Sequence, residues 1–133
     1  MDFFPINIED QKLIEAAREV IGRNFTGELH SVGAAVRTAS GKVYAGVNLD
    51  SRSGFGSCAE AITLGMAISQ GERDFKTIVA VGGWSVNPVI PPCGNCRQLL
   101  LEYLPGGWVI LEQEGKYVKA RVKDLLPAAW QNL

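Results

Sequence analysis

The chain has 133 residues, of which 47% are hydrophobic and 20% are charged, and its formal net charge is -1. This length fits one domain with a buried core, and the charge balance lacks the basic excess typical of general nucleic-acid binders. We therefore expect a single domain over residues 1–133 whose partner is a small molecule and not nucleic acid.

The N-terminal residues and the cysteine count bear on the compartment. MDFFPINIEDQ is acidic and has no apolar run, so it is not typical of a signal peptide, and no stretch approaches the length of a membrane span. The three cysteines are an odd number, which argues against a disulfide framework. We expect a cytoplasmic protein with no membrane partner.

Apolar periodicity and turn residues predict helices alternating with strands. Asn7 is a suitable N-cap for the first helix, and the second helix is apolar on almost every side, which predicts that it is buried. The predicted elements are a helix over 7–24, strands over 31–38 and 42–50 joined at Ser40-Gly41, a helix from Cys58 to about Gly71, a strand over 75–83, a rigid loop at NPVIPP, a helix from Cys93 that stops at Pro105, strands at WVILEQ and YVKARV, and a short helix near DLLPAAW. This order predicts an α/β protein with a mixed sheet covered by helices.

All three cysteines stand at predicted helix starts. Cys58 begins the second helix, and Cys93 and Cys96 begin the third. A helix N-terminus favours a thiolate, and two helices side by side on one sheet would bring the three sulfurs together. Zinc accepts such ligands, and three of them leave the fourth position for a water molecule, whose pKa then falls toward about 7.

Glu60 follows Cys58 by two residues. A carboxylate in the same cavity would take a proton from that water and deliver it to a leaving group, and it need not be a ligand. Two other interpretations exist, because CxxC also suits a redox pair and buried cysteines are often ordinary core residues. A redox pair leaves Cys58 and Glu60 without a role, so the pattern favours catalytic zinc.

The CAE and PCGNCRQ motifs together resemble the cytidine deaminase superfamily in its three-cysteine form. SVGAAV, GKVYAGVN, CAE, GERDFKTIVAV and PCGNCRQLL follow one another in the order and spacing of the small homotetrameric cytidine deaminases. The resemblance implies a three-layer α-β-α fold with a mixed sheet of about five strands, a homotetramer, and zinc-dependent conversion of cytidine or deoxycytidine to the uracil nucleoside with release of ammonia.

The resemblance also implies roles for particular residues. Glu60 would carry protons from the water to N3 of the base and to the departing amine, and the backbone N–H of Ala59 would meet the base O2. The zinc ligands would be Cys58, Cys93 and Cys96.

Four further positions match the family in part. Asn48 and Asp50 fall on an Asn-x-Glu pair that holds the ribose 3′-hydroxyl, although such residues also commonly end a strand in a turn. His30 stands where the family has an aromatic residue beside the base, and a structural histidine is the alternative. Trp130 would either reach a neighbouring subunit's site or pack on its own core.

The departures from the family pattern concern the substrate. Ala61 replaces an arginine that offsets the charge of three thiolates in many cytidine deaminases, which leaves the helix N-termini and Arg97 as candidates for that task. The blasticidin S deaminase branch also lacks that arginine and ends in a motif similar to DLLPAAW, but often has a basic residue where this chain has Asn95. We expect cytidine or deoxycytidine as substrate, with blasticidin S or another modified cytosine nucleoside second.

A non-catalytic zinc-stabilised binding module is the alternative from another class of protein. Glu60 argues against it, because a structural zinc site needs a fourth protein ligand and has no use for a free carboxylate nearby. A polynucleotide deaminase is disfavoured because the chain has no basic stripe interleaved with aromatic residues.

Overall fold

The structure is a computed structural model that describes residues 1–130. Its helices are α1 (Ile8–Asn24), α2 (Ala59–Ser69) and α3 (Gly94–Tyr103), and its strands are β1 (Phe4–Pro5), β2 (Val32–Thr38), β3 (Val43–Val47), β4 (Leu49–Asp50), β5 (Gly56–Ser57), β6 (Phe75–Gly82), β7 (Val89–Ile90), β8 (Trp108–Gln113) and β9 (Lys116–Arg121). Within these residues the three longer predicted helices and the five long predicted strands are present.

The main sheet has the strand order β1-β9-β8-β6-β2-β3, and β7 pairs with β6 beside this path. The β6–β8 pair is parallel and the other pairs are antiparallel, so the sheet is mixed as predicted. Five long strands form its body, and the two-residue strands β1 and β7 extend it. The predicted sheet of about five strands is therefore confirmed.

The helices form two layers that cover opposite faces of the sheet. Successive residues of a strand point to opposite faces, so Val79 of β6 packs with Leu13 of α1, whereas Ile78 packs with Leu64 of α2 and Leu100 of α3. This arrangement is the predicted three-layer α-β-α fold.

Helix α1 begins as predicted at the N-cap Asn7. The Asn7 side chain accepts a hydrogen bond from the Asp10 N–H at 2.9 Å, and the Asp10 carboxylate accepts one from the Asn7 N–H at 3.1 Å. The same buried carboxylate lies 3.0 Å from both Arg37 of β2 and Lys119 of β9. Asp10 thus joins the start of α1 to two strands of the sheet.

Three predictions about elements are wrong in detail. The predicted strand over 42–50 is interrupted after Val47, because Leu49–Asp50 pairs with Gly56–Ser57 in a separate two-stranded sheet. The loop NPVIPP contains β7, which pairs with β6. The short tail helix is a 3-10 helix over Val122–Leu125 that precedes most of DLLPAAW, since the residue before Pro127 is driven toward an extended conformation.

The prediction that α2 is buried and does not lie on the surface is also wrong for the single chain. Its residues Gly65, Met66 and Ser69 are exposed, although Leu64 and Ala67 lie in the core. Within residues 1–130, no helix combines the length and the apolar character that crossing a bilayer requires.

Candidate metal centre and its cavity

Two helix starts place the three cysteines. Cys58 is the N-cap of α2 and Cys93 the N-cap of α3, and neither side chain makes a capping hydrogen bond. Cys96 lies in the first turn of α3 and is buried. The sequence-predicted positions of all three cysteines are therefore those seen in the structure.

The three sulfurs converge. The Sγ atoms of Cys58 and Cys93 are 3.7 Å apart, and all three Sγ atoms lie within 4.8 Å of one another. Two sulfurs held by one tetrahedral zinc at about 2.3 Å would be separated by about 3.8 Å. The donor set fits zinc in both chemistry and spacing, and within residues 1–130 this metal-ligand group has no fourth member.

The thiols differ in their electrostatic surroundings. The backbone N–H of Cys96 lowers the pKa of Cys93, so this thiol ionises most readily. Burial raises the pKa of Cys58, and burial together with the Glu60 charge raises the pKa of Cys96. Because zinc binds thiolates and displaces their protons, a divalent cation is the group that would stabilise all three sulfurs in their charged form.

Glu60 lies in the first turn of α2 and is only 6% exposed. Burial raises the pKa of its carboxyl, and hydrogen bonds from its own backbone N–H and from the Cys96 thiol oppose that rise. A carboxyl with a raised pKa exchanges protons with water and substrate more readily near neutral pH than an exposed glutamate does.

A cavity of about 340 Å³ opens beside Cys58, Cys93 and Glu60, at the lower end of the range typical of small-molecule sites. Its lining residues are Ser31, Val32, Asn48, Asp50, Gly56, Ser57, Cys58, Ala59, Glu60, Ile90, Pro91 and Cys93. Two of them are carboxylates, and none is Lys or Arg. The cavity thus offers an apolar wall, two acidic groups and a candidate metal centre.

Asn48 and Asp50 both line the cavity, and the structure shows how Asn48 is used. Its Oδ1 accepts hydrogen bonds from the N–H groups of Ser31 at 2.8 Å and Val32 at 3.0 Å. Its Nδ2 donates to Asp50 at 3.1 Å and to the Leu29 carbonyl at 3.4 Å. The Asn48 amide is occupied by the protein itself, so Asp50 is the member of the pair with hydrogen-bonding capacity left for a ligand.

His30 is not among the residues that line the cavity, although it lies next to them in the chain. Its Nδ1 is 2.8 Å from the carbonyl oxygen of Asn48. Because a carbonyl only accepts, Nδ1 carries the hydrogen in this contact. The predicted contact of His30 with the base remains a prediction.

Arg97 lies in the first turns of α3, directly after Cys96. Its Nε donates to the carbonyl of Pro92 at 2.9 Å, and its Nη1 donates to the carbonyl of Leu125 at 3.2 Å. The guanidinium therefore links the 3-10 helix to the segment that carries Cys93.

Ala61 is half-buried and Asn95 is exposed.

Trp130 does not pack on its own core, because its side chain is 68% exposed. Its carbonyl oxygen accepts a hydrogen bond from Gln98 of α3 at 3.1 Å. This contact ties the C-terminal segment to α3 and leaves the indole free for a contact outside the single chain.

Sequence reasoning missed half of the cavity wall, namely Ser31, Val32, Gly56, Ser57, Ile90 and Pro91. Adjacency was the available signal for some of them, since Ser57 directly precedes Cys58 and Ser31 directly follows His30. Val32 and Ile90 carry no such signal, because the register of β2 and β7 on β6 places them.

The site combines three thiols at two helix starts with a buried carboxylate, and within residues 1–130 it has no fourth protein ligand. This is the make-up of a catalytic zinc site. A sequence model of the cytidine and deoxycytidylate deaminase zinc-binding region matches residues 7–112. The chain belongs to this family, as its sequence motifs predict, and its members are zinc-dependent hydrolytic deaminases.

Individual relatives agree with this assignment. The blasticidin-S deaminase of Bacillus cereus is 39% identical over 134 residues, which cover 96% of this chain and 96% of that protein. A cytidine deaminase of Halalkalibacterium halodurans is 35% identical over 102 residues, which cover 74% of this chain and 76% of that protein.

Solved structures agree with the fold. The crystal structure of cytidine deaminase from Burkholderia pseudomallei has a TM-score of 0.77 and 34% identity, and the match covers 90% of this chain and 98% of that one. The cytidine deaminase of Mycobacterium tuberculosis has a TM-score of 0.79 and 26% identity, with coverage of 95% and 100%. The predicted family, fold and zinc dependence are therefore confirmed.

Proposed function

We propose that this chain deaminates a free cytosine nucleoside, cytidine or deoxycytidine, to the uracil nucleoside and ammonia. The observation that carries the proposal is the buried carboxylate of Glu60 beside three converging thiols, in a cavity of about 340 Å³. Family membership gives the reaction class, and the size and charge of the cavity support a free nucleoside as the substrate.

In this proposal Cys58, Cys93 and Cys96 hold zinc, which supplies Lewis-acid activation of a water molecule when bound. Glu60 would take one proton from the water and give it to N3 of the cytosine ring as the water oxygen bonds to C4. It would then take the second proton from the hydroxyl now on C4 and give it to the amino group, which leaves as ammonia when the C4–N bond breaks. The elevated pKa of the buried Glu60 suits both directions of proton transfer.

The remaining contacts orient the nucleoside. The N–H of Ala59 lies in the first turn of α2, where backbone N–H groups have no acceptor within the helix, so it can donate to the base O2. Asp50 accepts a hydrogen bond from a sugar hydroxyl, and Asn48 holds the Asp50 carboxylate in place. His30 supports the same wall through the Asn48 carbonyl.

The charge of the cavity favours a nucleoside over a nucleotide. Its lining contains Asp50 and Glu60 but no Lys or Arg, and a phosphate needs cationic or N–H partners to offset its charge. The nearby Arg52 is already paired with Glu28 at 3.2 Å, and both side chains are exposed. We therefore expect deoxycytidylate to be a poor substrate.

Blasticidin S is the second candidate substrate. The similarity to the Bacillus cereus blasticidin-S deaminase covers 96% of both chains, whereas the similarity to the Halalkalibacterium halodurans cytidine deaminase covers 74% of this chain. A relative that matches over nearly the whole length supports a substrate of the same kind.

A substrate panel tests the proposal. Zinc-loaded protein is incubated with cytidine, deoxycytidine, deoxycytidylate, cytosine and blasticidin S, and ammonia release is followed together with the pyrimidine absorbance. We expect turnover of the free nucleosides, little turnover of deoxycytidylate, and loss of activity on chelation that zinc restores. Zinc-loaded protein that deaminates none of these compounds contradicts the proposal and favours a zinc-stabilised binding module.

A further inference from the structure

The apolar wall of the cavity continues outward along β6. Ala80 faces the α2 side of the sheet, where it packs with Ala59, and Gly82, two residues later, faces the same side because strand residues alternate. Gly82 is also the direct antiparallel partner of Val32, which lines the cavity. The surface above Gly82 therefore adjoins the cavity wall.

The indole of Trp84 occupies that surface. A Cβ atom placed on Gly82 would lie 2.6 to 2.7 Å from three atoms of the Trp84 six-membered ring. Contacts this short require glycine, so the ring rests directly on the Gly82 backbone. Trp84 is not itself a lining residue of the cavity, but its ring lies on the strand partner of Val32, which is one.

The loop after β6 holds Trp84 in this position. The N–H of Asn87 donates to the Trp84 carbonyl at 2.7 Å, and the Asn87 side chain donates to the Gly82 carbonyl at 3.1 Å. Asn87 itself has a φ of 47°, a left-handed conformation that asparagine tolerates better than most residues. Trp84 is nevertheless 45% exposed, so part of a fixed indole remains available to a ligand.

The charge around the mouth indicates what this indole would bind. Asp50 contributes an exposed carboxylate to the cavity, and the lining contains no Lys or Arg. The face of an indole attracts cations, and a carboxylate such as Asp50 attracts them as well. Asp50 and Val32 line the same cavity and are joined through the hydrogen bonds of Asn48, and Trp84 lies on Gly82, the strand partner of Val32.

We propose that Trp84 is a specificity-determining residue that binds a cationic group carried on the sugar of a cytosine nucleoside. The inference rests on the proposed function for the placement of the base at Glu60 and of the sugar near Asp50. Trp84 would favour nucleosides that bear an ammonium or guanidinium group over plain cytidine.

Binding to a catalytically silent protein tests the inference directly. The zinc-loaded full chain carrying Glu60→Gln is titrated calorimetrically with cytidine and with blasticidin S, which carries a guanidinium side chain on its sugar. Adding Trp84→Ala is expected to raise the Kd of blasticidin S about fivefold, the size of a cation–π contact at an exposed site. The Kd of cytidine should change less than about twofold, and Trp84→Phe should restore part of the preference.

A second variant and a control distinguish loss of the indole contact from a general loss of structure. Gly82→Ala keeps Trp84 but pushes its ring away, since the new methyl would meet the ring, so it should reproduce the effect of Trp84→Ala. Val86→Ala changes a 77% exposed residue of the same loop and should alter neither Kd. Zinc content and thermal unfolding are measured for each variant.

The outcomes separate this inference from the proposed function. Equal effects of Trp84→Ala on both ligands, no effect on either, or absence of blasticidin S binding to the Glu60→Gln parent would overturn the inference. Deamination by the chain with native Glu60 is assayed separately. Turnover of cytidine together with blasticidin S binding that does not depend on Trp84 overturns the inference alone. Blasticidin S binding that depends on Trp84, without turnover of any nucleoside, overturns the proposed function alone.

Discussion

At the scale of single residues, Glu60 is the group whose chemistry is most directly testable. We expect Glu60→Gln to retain zinc, because Glu60 is not a member of the three-thiol group, and to lower kcat by at least about 10²-fold, the usual contribution of a general acid–base residue. Zinc content by atomic absorption and turnover of cytidine provide the measurement.

The matched control for Glu60→Gln is Glu19→Gln, the same change on the exposed surface of α1. It should leave kcat unchanged. A zinc-replete Glu60→Gln protein with full activity on every substrate would rule out the proton-transfer role of Glu60.

Arg97 is the second residue with a specific expectation. Its guanidinium donates to the carbonyls of Pro92 and Leu125, and Arg97 directly follows Cys96 in the chain. Three thiolates would leave a bound zinc with a formal charge of -1. Arg97→Ala should speed zinc release to a chelator or raise the pH optimum. Arg97→Lys keeps the charge but loses the planar fork, so it separates the electrostatic role from the positioning role.

The control for Arg97 is Arg23→Ala, an arginine in the last turn of α1 whose side chain is largely exposed. If Arg97→Ala releases zinc at the same rate as the unmodified protein and has the same pH profile, the helix N-termini alone offset the thiolate charge.

At the scale of elements, Asp10 connects α1 to β2 and β9. Burial raises the pKa of this carboxyl, but hydrogen bonds from the Asn7 N–H, Lys119 and Arg37 outweigh it and lower the pKa. The stabilisation is therefore present above the pKa of an unfolded aspartate, about 3.9, and is lost as the pH falls through the lower pKa of the folded state.

Asp10→Asn should lower the free energy of unfolding at neutral pH by about 3 kcal/mol, since it leaves Arg37 and Lys119 without a buried counter-charge. The difference from the unmodified protein should shrink below about pH 4. Urea unfolding at several pH values measures both effects, with the exposed Glu9→Gln of the same helical turn as control. A difference that does not depend on pH would contradict this assignment.

The three helices could be predicted because their signals are local. Asn7 forms a capping box within four residues, and Cys58 and Cys93 each precede a continuous helical pattern. Two-residue strands have no measurable period, so the pairing of Ile90 with Ala80 could not be read from the chain. The tail helix ends earlier in the chain than its sequence predicts, because the effect of Pro127 on the conformation of its neighbour outweighs the helical propensity of DLLPAAW.

The residues of the candidate site also differ in how far the sequence predicts them. Residue type and position at a helix start were sufficient to predict where the cysteines and Glu60 lie. The pairing of Asn48 with backbone groups of β2 and the position of Trp84 on Gly82 depend on contacts between distant segments. Such contacts have no signature in residue type or spacing.

At the scale of the whole molecule, we propose that the chain assembles as a homotetramer, as the resemblance to small cytidine deaminases implies. Support comes from α2, whose apolar composition predicts burial although Met66 is 43% exposed in the single chain. The neighbouring β3 is an edge strand of the sheet and carries the exposed Val43. Edge strands and apolar helix faces are commonly covered by a partner.

Sedimentation measures the assembly. The expected mass is four times the 14.4 kDa of one chain, and Met66→Lys should dissociate it, because a buried unpaired charge is costly. Lys42→Ala, on the turn before β3, serves as a surface control. A monomeric unmodified protein with zinc bound would contradict the proposal.

The convergence of the sulfurs also joins two distant parts of the chain. Cys58 and Cys93 are 35 residues apart in sequence, so a metal held between them closes a loop that contains α2, β6 and β7. Such a cross-link restricts the unfolded chain and couples metal binding to folding. We therefore expect cysteine substitutions to affect both chemistry and stability, and Glu60→Gln to remove catalysis while the loop stays closed.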